Sequence, residues 1–378
     1  MAGTAHSFGG AILMSELSAH ELRDLGFRAD ELAAAGRVVA DECEKGSFPG
    51  AVCLVARGGR VALLQACGAL SPTRTGQVTA ETIYDLASVT KPMTTAVAAM
   101  RLAARGELSF LQQAVEFFPE RKLPHLEGVT LKQLATHTSG LPAWVDLYTG
   151  TAGREEAIEQ LLSIPLKHAP GRVFEYSCMG YILLGLICER VCGESLQDFL
   201  DREVWGPLGM GDTGYLPPEA RRDRIASTLN CPARAYELVG EVHDGNAWRL
   251  GGISGNAGLF STASDILKFC RAVMAPDAER PLFSRMELQR VRASQIAPEI
   301  GAQSYGWFCT GSDMLPAGDF LPSDAFGHTG FTGTSVVMVP SEDLAIILLT
   351  NRVCTDPGGA AIRRTRRRFH NAVAHSVV

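Results

Sequence analysis

Runs of apolar and β-branched residues lie near both ends of the chain and predict β-strands. They form two pairs, 50–57 with 60–67 and 334–339 with 344–350. Gly58 and Gly59 supply the positive φ angles that a tight two-residue turn needs, and Pro340 begins a four-residue turn in the second pair. Each pair is therefore expected to form a β-hairpin.

Helical spacing of apolar residues dominates between the hairpins, and one amphipathic helix is predicted before them at 29–44. Met93, Val97 and Met100 share one face of an Ala-rich segment that ends at Gly106. Four further segments have helical spacing: 131–136, 154–162, 179–192 and 196–200. The order indicates an α+β fold, in which an antiparallel sheet from both chain ends is flanked by terminal helices and carries an inserted helical region.

This order also predicts how the chain is divided into domains. Residues 1–25 are expected to be a poorly ordered leader. Residues 26–85 and 250–378 are expected to form the α/β sheet domain, and residues 86–249 an inserted, mainly α-helical domain. A cleft is expected between the two domains.

Composition narrows the classes of function. The 378 residues, 46% hydrophobic and 20% charged, suit a packed globular enzyme. The net charge of -6 argues against nucleic-acid binding. The basic run Arg363, Arg364, Arg366, Arg367 and Arg368 is expected to be a solvated helix face rather than a nucleic-acid or membrane site.

Localisation is predicted from what the chain does not contain. No window approaches the ~20 apolar residues of a membrane-spanning helix, and the apolar patch near the N-terminus is too short for a signal peptide. The ten cysteines are scattered and are expected to be reduced. These features predict a cytoplasmic protein.

Ser88 and Lys91 are the first candidates for chemistry. They lie three residues apart at the start of a predicted helix, so their side chains can touch. A serine hydroxyl needs a base to become a nucleophile, and burial can shift a lysine toward its neutral, basic form. The chain has six lysines against 29 arginines and only this one Ser-x-x-Lys, a pattern that is weak when it stands alone.

Two other patterns are not expected to bind ligands. His243 and Asp244 are adjacent, so they point in different directions, and no spaced partners complete a metal shell. They are expected to tether a loop. The glycine-rich segment 251–258 lacks the Lys-Ser/Thr of a P-loop and the strand-to-helix context of a dinucleotide site, so its glycines are expected to allow tight turns. No metal and no cofactor is predicted.

Four ordered segments together resemble a known superfamily. They are LASVTKP at 86–92, LATHTSGLP at 134–142, FEYS at 174–177 and FGHTGF at 326–331. Over roughly residues 30 to 370 the chain resembles the serine β-lactamase and penicillin-binding protein superfamily, in particular its class C β-lactamase-like branch with family VIII carboxylesterases and D-Ala-D-Ala carboxypeptidases. The resemblance implies a β-lactamase/transpeptidase-like fold.

The resemblance also implies roles for individual residues. Tyr176 would carry the proton from the nucleophile Ser88 to the leaving group, helped by Lys91. The backbone amides of Ser88 and Phe331 would form the oxyanion hole. Residues expected to bind substrate are His328, Thr329 and Gly330 of the third motif, and Cys178.

Two positions depart from the superfamily pattern. Cys178 stands where many relatives have asparagine, and it is expected to be a small filler rather than a redox group or a second nucleophile. His328 stands where penicillin-binding enzymes have lysine; it is expected to be a weaker, pH-dependent cation that helps Lys91 lower the pKa of Tyr176. His137 and Ser139 are expected to shape the cleft rather than act on substrate.

These residues predict a serine hydrolase that forms an acyl-enzyme at Ser88 and acts on a small carboxylic ester or amide. An esterase is favoured, because the two departures weaken the grip on a substrate carboxylate. The alternatives are a D-Ala-D-Ala carboxypeptidase, D-aminopeptidase or weak β-lactamase, and a non-catalytic binding or sensor protein on the same fold. No nucleic-acid or membrane partner is expected, and the sequence leaves the oligomeric state open.

Overall fold

The computed structural model describes residues 17–275, 282–356 and 358–378. Its main sheet is antiparallel and has six strands in the order β2-β1-β8-β7-β6-β5. These strands are β1 (Gly50–Arg57), β2 (Arg60–Gly68), β5 (Phe308–Cys309), β6 (Phe326–Thr329), β7 (Ser335–Val339) and β8 (Leu344–Thr350). The short strands β3 (Tyr84–Asp85) and β4 (Phe260–Ser261) pair with each other.

Helices precede, interrupt and follow the sheet. In chain order they are α1 (Ala19–Asp24), α2 (Ala29–Glu44), α3 (Val97–Ala104), α4 (Leu131–Ala135), α5 (Arg154–Ser163), α6 (Cys178–Cys192), α7 (Leu196–Leu200), α8 (Gly245–Arg249), α9 (Ala263–Met274), α10 (Arg285–Arg292) and α11 (Ala360–Ser376). A 3₁₀ turn at Ala87–Val89 and a π-helical turn at Pro92–Ala96 lead into α3. Helices α3–α8 all come from the segment expected to be inserted.

Both predicted hairpins are present. Strands β1 and β2 meet at Gly58 and Gly59, whose φ angles are 56° and 70°. Strands β7 and β8 are joined by Pro340–Glu342 and by Asp343, which has a φ of 43°. Because β1 also pairs with β8, the two ends of the chain meet inside one sheet. The predicted antiparallel sheet with flanking helices is confirmed.

The main sheet is buried on both faces. Alternate residues of β1 point to opposite sides, so Val52 and Leu54 join the core under the inserted helices, whereas Cys53 and Val55 join the core under α2 and α11. A strand covered on both sides needs no polar face. This double burial explains why 50–56 is apolar throughout rather than alternating.

Helix α11 packs against α2 with its basic run divided between two environments. Arg364 and Arg368 donate to the carboxylate of Glu42 at 2.9 and 3.0 Å, and Glu42 is buried. Arg366 points the other way and is only 8% exposed. The expectation of a solvated face is therefore wrong for Arg366, because this turn of α11 lies against the sheet.

Part of the expected leader is ordered. Residues 1–16 lie outside the described chain, but Ser18 caps α1, and its side chain and that of Glu21 bond each other's backbone amides. Phe27 forms a β-bridge with Val377. Within the segment expected to be a leader, residues 19–24 thus form a capped helix with Leu22 buried.

No helix in the described part of the chain is both long enough and apolar enough to cross a bilayer. The ten cysteines are free thiols. Burial raises the pKa of Cys53 to about 12, so this thiol stays neutral and packs as a small apolar side chain.

Candidate active site

Ser88 lies on a sharp turn between β3 and the helical segment. Ala87 has a φ of 47°, which is unfavourable for a residue with a Cβ. The Asp85 carboxylate accepts the Ala87 amide at 2.8 Å, and Thr334 Oγ1 donates to the Leu86 carbonyl at 2.9 Å. These bonds hold the strained turn, which presents Ser88 at the wall of a cavity.

Lys91 lies directly beside Ser88. Its Nζ donates to Ser88 Oγ at 2.9 Å and to the backbone carbonyl of Asn256 at 3.0 Å, and the side chain is fully buried. Asn256 belongs to the glycine-rich segment, where a Cβ on Gly255 would lie 2.1 Å from the carbonyl oxygen of Tyr181. The glycine therefore lets this segment approach α6 closely enough to bring a carbonyl to Lys91. Sequence reasoning missed this contact.

The charge of Lys91 differs from the expectation. Burial lowers its pKa, but interactions with Cys178 and Tyr176, including a hydrogen bond with Tyr176, act in the opposite direction, and the pKa of Lys91 lies above its ordinary value of 10.5. Lys91 is therefore protonated at neutral pH. The idea that burial alone turns it into a neutral base is wrong, because interactions with Cys178 and Tyr176 outweigh the effect of burial on its pKa.

Tyr176 completes the group around Ser88. Lys91 Nζ lies 4.8 Å from the centroid of its ring. Burial raises the pKa of Tyr176, although the charge of Lys91 and contact with Ser88 act in the opposite direction. The buried hydroxyl has no hydrogen bond of regular geometry to any described residue. Tyr176 is thus a neutral phenol whose hydroxyl is available to a substrate.

His328 lies on β6 on the other side of Tyr176, with ring centroids 5.9 Å apart. Its Nδ1 lies 2.8 Å from the carbonyl oxygen of Thr329, and its buried Nε2 has no partner in the described chain. Burial, reinforced by the charge of Lys91, lowers the pKa of His328 well below its ordinary 6.5. The expected positive charge on His328 is therefore wrong, and Lys91 is the cation beside Tyr176.

The third motif runs past the Ser88 turn. A Cβ on Gly330 would lie 2.3 Å from the Leu86 carbonyl oxygen, so only glycine lets β6 come this close. Phe331 follows with its ring 55% exposed. Ser88, Thr329, Gly330 and Phe331 line one cavity, so the two expected oxyanion donors and part of the third motif face the same space.

This cavity has a volume of about 570 Å³. Asp313, Met314 and Leu315, from the loop 309–326, line it together with Tyr176. Sequence reasoning missed a group of arginines that also line it: Arg352, Arg363, Arg366 and Arg367. The signal was available in the basic run, but that run was interpreted as solvated.

Cys178 and His137 lie behind the cavity rather than in its lining. Cys178 begins α6, its amide donates to the Ala143 carbonyl at 2.8 Å, and it lies near enough to affect the pKa values of Lys91 and Tyr176. His137 Nδ1 accepts the amide of Ser177 at 3.0 Å, and its ring centroid lies 4.5 Å from that of Tyr176. His137 therefore positions the tyrosine segment.

His243 and Asp244 form loop contacts. The His243 amide donates to Asp85 at 2.7 Å, and Asp244 accepts the Ala247 amide at 2.8 Å as the cap of α8. Within residues 17–275, 282–356 and 358–378, no three His, Cys, Asp or Glu side chains gather in a way that could hold a metal ion.

Comparisons with known proteins agree with this architecture. The family model described as Beta-lactamase matches residues 34–370. The N-acetylmuramyl-L-alanine amidase of Bacillus subtilis (strain 168) is 31% identical over 343 residues, which cover 81% of this chain and 77% of that protein.

Two solved structures share the fold. One is EstCE1, a hydrolase with promiscuous acyltransferase activity. It aligns with a TM-score of 0.72 and 21% sequence identity, and the alignment covers 90% of this chain and 99% of the EstCE1 chain. The other is a class C beta lactamase from Rhodobacter sphaeroides. It aligns with a TM-score of 0.71 and 23% sequence identity, and the alignment covers 92% of this chain and 99% of that chain. With the matching family model and the close approach of Lys91 to Ser88, these findings show that the chain belongs to the serine β-lactamase and penicillin-binding protein superfamily of serine hydrolases.

Proposed function

We propose that this protein hydrolyses a small carboxylic ester or amide through an acyl-enzyme at Ser88. The observation that carries the proposal is the 2.9 Å contact between Lys91 Nζ and Ser88 Oγ at the wall of the cavity. An ester is the simpler substrate, because it needs only a nucleophile, a proton acceptor and two oxyanion donors.

In acylation, Ser88 Oγ bonds to the substrate carbonyl carbon while its proton passes to the Lys91–Tyr176 pair. The amides of Ser88 and Phe331 hold the resulting oxyanion. The pair then gives the proton to the leaving group as the bond to the carbonyl carbon breaks. Water attacks the acyl-enzyme in the second half, gives its proton to the same pair, and Ser88 regains a proton as the acid leaves.

The pair can accept a proton only after it has lost one of its own. Lys91 and Tyr176 both have pKa values above the ordinary ones, so at neutral pH most molecules hold an ammonium beside a neutral phenol. Either Lys91 amine or Tyr176 phenolate, whichever forms, serves as the base. The reactive fraction therefore increases as pH rises.

Amide hydrolysis is the second candidate. The relative that is 31% identical carries the name N-acetylmuramyl-L-alanine amidase, so an amide bond is within the reach of a related site. Amides need the leaving nitrogen to be protonated. In this proposal the Tyr176 hydroxyl, which makes no hydrogen bond of regular geometry in the described chain, delivers that proton, and it would do the same for a D-amino-acid peptide.

Labelling with a fluorophosphonate probe, together with hydrolysis of 4-nitrophenyl acetate, tests the proposal. We expect wild-type protein to be labelled and to release nitrophenol, and Ser88→Ala to lose both. Ser264→Ala is the matched control, because Ser264 is exposed at the start of α9. A correctly folded wild type that takes no label and cleaves no ester or D-amino-acid amide would support the binding or sensor alternative instead.

A further inference from the structure

Helix α2 lies along β2, the outermost strand of the main sheet, on the face opposite the inserted helices. A Cβ on Gly36 would lie 2.2 Å from the side-chain oxygen of Gln65, so the helix and the strand are in close contact there. Cys43 comes about two helical turns after Gly36 and therefore lies on the same face of α2. Gln65 and Cys67 are alternate residues of β2, so their side chains point to the same side of the strand. The two cysteines thus face each other where α2 and β2 end.

Contacts around Gly68 show how near the two thiols are. Cys43 Sγ lies 3.4 Å from the carbonyl oxygen of Pro49. A Cβ on Gly68, which directly follows Cys67, would lie 2.5 Å from the same sulfur. The side chains of Cys43 and Cys67 also share a hydrogen bond. Cys67 is 9% exposed and Cys43 is half-buried, so a small solute can reach the pair.

Cys43 is the more reactive thiol of the pair. Its hydrogen bond with Cys67 lowers the pKa of Cys43, although burial and the charge of Glu44 act in the opposite direction. The pKa of Cys67 is raised, because the hydrogen bond with Cys43 and burial both favour the neutral thiol. An accessible thiol of lowered pKa beside a second thiol is typical of redox-sensitive cysteine pairs.

Cys188 and Cys192 are also neighbours, but their surroundings differ. Both lie on α6, about one helical turn apart. Burial raises the pKa of each, and Cys188 is completely buried. Neither therefore forms much of the thiolate that attacks an oxidant at neutral pH. This second pair is a matched internal control for the first.

We propose that a peroxide oxidises Cys43 and Cys67 to a disulfide that fastens α2 to the outermost strand β2. The Cys43 thiolate attacks one oxygen of hydrogen peroxide, the O–O bond breaks, and Cys43 becomes a sulfenic acid while the other oxygen leaves as water. The Cys67 sulfur then attacks the Cys43 sulfur and displaces the sulfenic hydroxyl as a second water. In all, the two thiols lose two electrons and two protons, and the peroxide is reduced to water.

This modification site lies across the sheet from Ser88, and the inference does not depend on the proposed hydrolase function. The disulfide closes the chain segment between the end of α2 and the end of β2, which restricts the unfolded chain and so stabilises the folded one. It also holds the edge of the sheet, where β2 pairs with β1 on one side only.

Peptide mapping of the full chain after treatment with hydrogen peroxide tests the inference. Free thiols are blocked with N-ethylmaleimide before the protein is unfolded and digested. We expect wild type to yield a peptide joined through Cys43 and Cys67, which separates into two on reduction with dithiothreitol. The oxidised protein should melt about 3 °C or more above the reduced protein, and reduction should reverse this shift.

Three variants separate the two steps of the oxidation. Cys67→Ser removes the second thiol, so the reaction should stop at a sulfenic acid on Cys43 that dimedone labels. Cys43→Ser should show neither a linked peptide nor a dimedone label on Cys67. Cys192→Ser is the matched control, because Cys192 is also a partly exposed thiol, and it should form the Cys43–Cys67 link as wild type does.

Wild type whose Cys43 and Cys67 remain free thiols after peroxide treatment overturns the proposal, whatever the variants show. Equal oxidation of Cys188 and Cys192 overturns it as well, because the reaction would then not depend on the arrangement between α2 and β2. A linked peptide without a rise in melting temperature supports the modification site and overturns its stabilising role.

Discussion

Lys91 and His328 lie on two sides of Tyr176 and are equally inaccessible to solvent, yet they carry different charges. The Lys91 ammonium bonds two oxygens and its pKa is raised. His328 has one carbonyl neighbour and a cation nearby, and its pKa falls well below 6.5. The comparison shows that burial opposes both charges, and that the surrounding acceptors decide which group keeps its charge.

The largest loss of activity is expected when Lys91 is replaced. Lys91→Met eliminates both the charge and the exchangeable proton beside Ser88, so kcat/KM on 4-nitrophenyl acetate should fall by about 10³-fold or more. Lys91→Arg separates the two roles, since arginine keeps the charge but does not give up a proton. We expect it to be nearly as inactive. Substantial activity in the arginine variant would mean that only the charge of Lys91 matters.

A smaller loss is expected when Tyr176, which lies between Lys91 and His328, is altered. Tyr176→Phe removes the hydroxyl that passes the proton, and kcat should fall about 10²-fold. That hydroxyl makes no hydrogen bond of regular geometry in the described chain and only looser contacts with Lys91 and Ser88, so the substitution should change the melting temperature little. A large loss of stability together with activity would instead assign the hydroxyl a structural role.

The smallest change in activity is expected when His328 is replaced. Because the pKa of His328 lies well below 6.5, this histidine stays neutral from pH 6 upward. Lys91 and Tyr176 have raised pKa values, so the fraction of molecules in which this pair has lost a proton increases with every unit of increasing pH. Wild-type kcat/KM should therefore increase from pH 6 toward 9 without an inflection near 6.5. His328→Gln should keep this profile and change the rate by less than about tenfold. An inflection near 6.5 that disappears in the variant would restore a charged histidine to the mechanism.

Much of the fold was predictable because its signals are local. The Gly58–Gly59 turn and the apolar runs beside it identified the first hairpin, and 29–44 matches α2 residue for residue. No local hydrophobic pattern indicates strand β6, because only four residues pair and glycine lies among them, and only the resemblance implies a strand at the third motif. Its place in the sheet is set by pairing with β7 across the turn at residues 330–334 and with β5 on its other side.

The positions of the site residues were predictable from the motifs. Their charges were not, because the charge of a buried group depends on the residues around it. The resemblance brought Ser88, Lys91 and Tyr176 together, as the structure has them. It could not give their charges, since the pKa of Lys91 depends on burial and on Cys178 and Tyr176, which are far away in sequence. The arginines that line the cavity were missed for the same reason: whether Arg366 faces water or the third motif depends on how α11 packs.

The bonds from Arg366 to Gly330 and Thr334 also bear on how the protein is made. Strand β1, made early, pairs in the sheet with β8, and the third motif receives its arginine support from α11. On the ribosome, the catalytic pocket therefore stays unfinished until residues 360–376 have left the exit tunnel. Nascent chains stalled before that point should fail to react with a serine-directed probe even though the Ser88 turn has already been synthesised.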